Sequence, residues 1–350
     1  MDDRQQGKWR RKFSRRWGRT ALLSVGGLAL ASTVPPQRPV EAHPAAIAPI
    51  GFGELAVLTY NVKGLPWPAA SGREQALARI GERLAALRRM GAQPGVVILQ
   101  EAFTPEAKAI AKAAGYAWQV LGPSARPRPG NPVGGNWYFG ETQAAMLDSG
   151  LAVLSDHPVL RIERAAFPVG ACAGFDCIAA KGVLLVTIDL PGTGPVTVAA
   201  THFNSRKASG VAFARANAAY ARQAAFLGDI LRRQKSLPEP LILAGDFNRG
   251  DRPARIAALS GVLGKHNDAL ESLADAGLLE GPQLADFATI RRRGRDLQFA
   301  SDGRNVQVEP VAAHVPFGTE PDGTMLSDHL GFVVRYRLTP RTLRFAARTR

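Results

Sequence analysis

The chain has 350 residues, 46% of them hydrophobic, which is enough apolar sequence for a sizeable core. No Ser/Gly linker, internal repeat or low-complexity block interrupts its middle, so one large domain is favoured over two. The formal net charge of +15 favours an anionic partner, but no dense Lys/Arg block with interleaved aromatics marks a dedicated nucleic-acid face.

Residues 1–42 differ from the rest. A basic stretch, Arg10-Arg11-Lys12 and Arg15-Arg16, precedes an apolar run from Ala21 to Val34. That run of 14 residues is shorter than the ~20 a bilayer span needs. The pattern predicts an export signal over 1–42, cleaved after Ala42 or Ala31; the paired arginines leave the twin-arginine route and an ordinary basic leader both open. A periplasmic or extracellular location follows. Residues 1–42 hold nine Lys/Arg and three Asp/Glu, so 43–350 keep 35 basic against 26 acidic residues. Cys172 and Cys177 are an even pair, which in an exported protein reads as a disulfide, with two free thiols the alternative.

Strands and helices then alternate. Leu55–Tyr60 is a short apolar run that ends in Asn61, and apolar positions 77, 80, 84 and 87 have helical spacing. Val96–Leu99 is a buried strand followed by Gln100-Glu101, and Thr104-Pro105 starts a second helix. Residues 123–142 read as a long Pro/Gly-rich loop carrying Trp137-Tyr138-Phe139, aromatics expected to pack inside. Strands are expected over 144–154, 159–167, 182–190 and 196–202, a helix over 210–234, a strand at 241–244 and more helix over 253–277. Further strands are expected over 296–300, 306–312 and 330–338. Two strand clusters with helices between them suggest two packed sheets covered by helices.

Five of these segments end in residues able to bind metal or move protons. Asp246 and Asn248, two apart in extended chain, point to one side with Phe247 turned inward; His202 and Asn204 repeat that spacing. Glu101 directly follows a buried strand and suits a hard cation, while Asn61 is also a common turn former. Asp328-His329 sets an acid beside an imidazole that can act as a base, with Asp296 able to orient it or to be an ordinary loop acid. No P-loop, dinucleotide glycine fingerprint, nucleophile elbow or HExxH occurs, so water is the expected nucleophile.

In order, Thr59-Tyr60-Asn61, Leu99-Gln100-Glu101, Thr201-His202, Gly245-Asp246-Phe247-Asn248 and Ser327-Asp328-His329 resemble the endonuclease/exonuclease/phosphatase superfamily. The resemblance implies a four-layer α/β sandwich, two mixed sheets face to face with helices outside. It also implies a Mg²⁺ site, or Mn²⁺ or Co²⁺, with Glu101 the main ligand and Asn61 nearby. Asp246 and Asn248 would orient water and a phosphate oxygen. His329 would be the base, with Asp328 beside it and Asp296 its orienter, and His202 would stabilise the transition state or aid the leaving group. Leu297-Gln298 after Asp296 departs from the family's usual pattern.

The stretch 148–158, then Gly174-Phe175-Asp176 and Lys181-Gly182, resembles bacterial and neutral sphingomyelinases. That implies a phospholipid substrate, with Lys181 near the phosphate, Asn204 in the substrate cleft and contact with a membrane surface. An extracellular nuclease and a non-catalytic binding protein are the alternatives. No long aromatic hairpin and no obligate protein partner are evident.

Overall fold

The computed structural model describes residues 51–124 and 135–341, except 265, 280 and 321. These residues all belong to one contact unit, His43–Arg350. The export signal expected over 1–42 lies outside the described residues.

Two six-stranded sheets carry the fold. The first is ordered β11 (Val306–Phe317), β12 (Gly331–Pro340), β1 (Glu54–Gly64), β2 (Val96–Ala102), β4 (Ala152–Ser155), β3 (Trp118–Leu121). The second is ordered β5 (Val159–Ala166), β6 (Gly182–Leu190), β7 (Gly194–His202), β8 (Leu241–Asp246), β10 (Asp296–Ser301), β9 (Asn267–Asp268). Both are mixed: β1–β2 and β7–β8 are parallel, the other pairs antiparallel. Six α-helices are described: α1 (Glu74–Arg89), α2 (Pro105–Ala113), α3 (Phe213–Lys235), α4 (Pro253–Leu263), α5 (Ala269–Asp275) and α6 (Leu284–Arg293).

Period-two alternation explains the layering. On β1, Leu55 and Val57 face one way and join Val198 and Ile242 of the other sheet in a core between the sheets. Ala56, Leu58 and Tyr60 face the other way, against α1 and α2. On β8, Leu241 and Leu243 turn outward to pack with Tyr220 and Leu227 of α3 and Leu259 of α4. Strands covered on both faces read as unbroken apolar runs, and the result is the expected α/β sandwich.

Gln298 crosses between the sheets: its Nε2 donates to the backbone of Val57 and Phe332, and its Oε1 accepts from Tyr336. Gln298, part of the stretch that departs from the family pattern, therefore reaches from the second sheet to satisfy buried polar groups of the first.

Several elements differ from the sequence reading. The 253–277 helix is two: α4 closes at Gly264, φ +60°, and α5 restarts where Asp268 accepts from the N–H groups of Leu270 and Glu271. In place of a strand over 144–154 the structure has only β4 at 152–155, because Asp148 accepts from Gly150 N–H and Gly150 takes a left-handed φ. Trp137 and Tyr138 are 72% and 70% exposed, not packed inside. Helix α6 and strand β3 are additional. No described helix is long and apolar enough to cross a membrane.

Candidate active site

Strand register assembles the cluster. In the second sheet His202 pairs with Asp246, and Asp246 with Asp296, so three strands end level. Gly245 permits this closeness: a Cβ there would lie 2.0 Å from the Thr201 carbonyl oxygen. In the first sheet Asn61 pairs with Gln100, and the segment entering β12 brings His329 alongside. Glu101 and Asn248 hold φ of 55° and 47°, a costly region for glutamate that is commonest at functional sites.

Asn61 joins the sheets. Its Nδ2 donates to Glu101 Oε1 at 3.0 Å and to Asp246 Oδ2 at 3.1 Å, while its Oδ1 accepts from Lys63 N–H. His329 Nδ1–H donates to both Asp296 oxygens, at 2.7 and 3.0 Å. Its Nε2 lies 3.8 Å from Asp246 Oδ2, and His202 Nε2 lies 3.6 Å from the same oxygen. Asp246 thus sits between two imidazoles and an amide, with its Oδ1 held by Asn248 N–H.

Charge separates the two histidines. Burial pushes His329 down, but Asp296 and Asp246 outweigh it and lift its pKa to about 10. His202 is driven to about 3 by burial and by Lys181. Burial pushes Asp246 up, yet His329, His202 and the donors from Asn248 and Asn61 hold it below the ordinary carboxylate range. Burial raises Glu101 and Asp296, opposed by the Asn61 hydrogen bond and by His329 respectively.

Lys181 is buried and joins the cluster. Its Nζ donates to Asp176, to the Phe203 carbonyl and, at 3.2 Å, to His202 Nε2. That bond leaves the His202 proton on Nδ1, a buried atom without a hydrogen-bond partner among the described residues. A disulfide joins Cys172 to Cys177 and closes the short loop that carries Asp176.

Two sequence candidates lie elsewhere. The Asp328 side chain is 56% exposed and turns to Lys63, 3.7 Å away, so the acid adjacent in sequence is not the one that grips His329. Asn204 does not share the His202 face. Its Oδ1 accepts from Ala173 N–H and its Nδ2 donates to the Ser205 carbonyl, so it holds a loop. Asn248 Nδ2 likewise donates to the Phe203 carbonyl.

Two supporting residues have no role in the sequence reading, although Ser327 stands in one of its motifs. Ser327 Oγ donates to the Asn61 carbonyl at 2.6 Å and tethers the His329 segment to β1. Arg255 is fully buried, and one nitrogen donates to the carbonyls of both Asn204 and Asn248, tying together the chain leaving β7 and β8. A lone arginine at the start of α4 looks like any surface helix residue in sequence.

The donor set fits a divalent cation. Glu101 forms no ion pair among the described residues, accepts one hydrogen bond, from Asn61, and has its pKa raised by burial, so its carboxylate has ligand capacity to spare. Asp246 lies beyond the same amide, and Asn61 Oδ1 keeps a second lone pair. Hard oxygen donors of this kind suit Mg²⁺ or a similar ion. Asp246, Asp296 and His329 also offer ligand atoms within 4.8 Å of one another, but both Asp296 oxygens are engaged by His329.

Three curated sphingomyelinases, from Mycobacterium bovis and Mycobacterium tuberculosis, are 26% identical over 298 residues, covering 81% of this chain and 53% of theirs. The chain therefore spans about half the length of these relatives. Among solved structures, a mutant Staphylococcus aureus beta toxin with bound magnesium ions superposes with TM-score 0.55 at 18% identity, covering 80% of this chain and 99% of that one. Sphingomyelinase C from Streptomyces griseocarneus gives 0.52 at 24%, with 81% and 99% covered. D. rerio TDP2 with a single-strand DNA product gives 0.55 at 17%, with 81% and 98% covered. These likenesses establish the fold. The model of the Endonuclease/Exonuclease/phosphatase family matches residues 58–329, and the chain belongs to that family.

Proposed function

We propose that this protein is an exported, divalent-metal-dependent phosphodiesterase that hydrolyses a phospholipid such as sphingomyelin to its phosphorylated headgroup and ceramide. The observation that carries the reading is His329, gripped at Nδ1 by Asp296 while Nε2 faces Asp246 beside Asn61 and Glu101.

His329 Nε2 takes the proton of the attacking water, and Asp296 steadies the imidazolium that results. Asp246, with Asn248 N–H fixing its other oxygen, orients the water. The new bond forms from water oxygen to phosphorus, and the bond from phosphorus to the lipid oxygen breaks. Lys181, steadied by His202 Nε2, brings positive charge to the cleft that opposes the growing charge on the phosphoryl oxygens. A divalent cation held by Glu101 with Asn61 would stabilise that charge further and, by offsetting Asp246, return His329 toward the neutral form a base requires.

The Cys172–Cys177 disulfide supports an oxidising compartment. The sphingomyelinase relatives support the lipid; the nuclease reading draws on the positive charge and the likeness to a DNA-processing structure. Incubating the protein with Mg²⁺ or chelator against sphingomyelin vesicles and plasmid DNA separates them. Headgroup release that chelator stops is expected. Cleavage of DNA alone would reject the lipid reading.

A further inference from the structure

Beside this cluster lies an apolar face that the catalytic reading leaves unused. It is built from the segments around 135–141, 173–178 and 205–213. Trp137 and Tyr138 are exposed, as are Phe175 and Phe213. The rings hold one another: Tyr138 and Phe139 meet edge to face at 5.2 Å, Phe139 and Phe175 likewise, and the Arg206 guanidinium covers the Phe213 ring at 4.8 Å.

The face is rigidly mounted. Glu141 accepts from the N–H groups of Asn136 and Gly174 and from Arg215, and so joins all three segments. Gly174, at φ +65°, lets the second segment lie on the third; a Cβ there would be 1.8 Å from the Ser209 carbonyl oxygen. The face also adjoins the chemistry. Phe175 is followed by Asp176, which accepts from Ser205 N–H and Lys181, and Lys181 reaches His202.

We infer that this aromatic face docks the enzyme on a phospholipid bilayer, with the catalytic cleft opening toward the headgroups; this rests on the lipid-directed reading above. Exposed aromatics with apolar bodies and polar edges favour the headgroup level of a bilayer. The charges fit as well. The acids of the three segments, Glu141 and Asp176, are already paired with Arg215 and Lys181, whereas Arg206 and Lys207 add positive charge facing lipid phosphates. The ring geometry disfavours single-stranded nucleic acid. Base stacking needs open ring faces in a row, and here Tyr138, Phe139 and Phe175 pack edge to face while Arg206 covers Phe213.

The test is co-sedimentation of the full chain with vesicles of phosphatidylcholine and phosphatidylglycerol in equal parts, beside hydrolysis of a water-soluble phosphodiester, bis(p-nitrophenyl) phosphate, with Mg²⁺. The variant Trp137→Ser/Tyr138→Ser should lower vesicle partitioning about tenfold or more and leave soluble-substrate turnover unchanged. Lys207→Glu should weaken binding to these vesicles more than to pure phosphatidylcholine. His329→Ala should bind vesicles normally while losing turnover. A wild-type protein that hydrolyses the soluble substrate but stays off vesicles overturns the docking inference and leaves the proposed chemistry standing. One that binds vesicles but hydrolyses no phosphodiester rejects the chemistry alone. Loss of oligothymidylate binding in the double variant, with vesicle binding intact, would assign the face to nucleic acid. A changed sedimentation coefficient in its place would assign it to a second copy of the chain. Either result overturns the inference.

Discussion

Replacing Asp296 by asparagine keeps the shape of the group that grips His329 and removes its charge. The Asn carbonyl oxygen can still accept from Nδ1–H, so the imidazole keeps its orientation. What is lost is the charge-assisted part of the contacts at 2.7 and 3.0 Å. A hydrogen bond to a charged group contributes ~1.5–3 kcal/mol. At ~1.4 kcal/mol per factor of ten, turnover should fall roughly 10- to 100-fold. His329→Ala removes the base itself and should cost ~10²–10⁴-fold. Stability should fall by less than that hydrogen bond contributes, because the buried Asp296 carboxylate already bears a desolvation penalty that a neutral amide avoids. The assay is initial-rate hydrolysis of a soluble phosphodiester with saturating Mg²⁺, with thermal melts as the folding control. An Asp296→Asn protein within twofold of wild type, alongside an inactive His329→Ala, would refute the Asp–His pairing as a working unit.

Arg255→Met should lower the denaturation free energy by ~2–4 kcal/mol in urea titrations, because the carbonyls of Asn204 and Asn248 lose a buried donor. Asp268 is raised by burial to about 6 from an ordinary 3.8, so its folded form holds a proton more tightly than its unfolded form. Its penalty is absent below pH ~4 and complete above pH ~6, and Asp268→Asn should therefore stabilise the fold at pH 8, by at most ~3 kcal/mol, and not at pH 4. Denaturant midpoints at the two pH values check the sign. Cys172→Ser/Cys177→Ser opens a short loop and should cost ~2 kcal/mol by chain entropy, read from the same titrations under non-reducing conditions. Glu101→Gln should raise the Mg²⁺ concentration needed for half-maximal turnover at least tenfold, because a charged ligand becomes neutral; an unchanged Mg²⁺ titration would remove Glu101 from the metal site.

Strands flanked by helices, and the polar residues at their ends, were legible in sequence because alternation and strand termination are local properties. Asn61, Glu101, His202, Asp246 and His329 each stood at a recognisable boundary, and one architecture brings such boundaries together. Extrapolating beyond those boundaries fails for a physical reason. The period-two rule holds only while the chain stays extended. Past the end of β7 it does not, and the Asn204 amide turns to backbone groups of a loop. At Asn248 a left-handed φ likewise re-aims the chain.

Adjacency is as weak a guide at Asp328. Its neighbour His329 points inward, while Asp328, in the bend that precedes β12, turns to solvent and Lys63. Asp296, the orienter that the family resemblance implies, is 33 residues away in sequence and is brought to His329 by the antiparallel pairing of β10 with β8. Exposure of Trp137 and Tyr138 was equally undecidable from composition, since an aromatic packs inside only if a layer covers it. By itself, then, the sequence determined the alternating elements, the ordered set of reactive residues and the family likeness. The tertiary structure alone decided that Asp328 turns away from the cluster, which asparagines hold loops and which aromatics stay bare, because each depends on contacts between segments far apart in the chain.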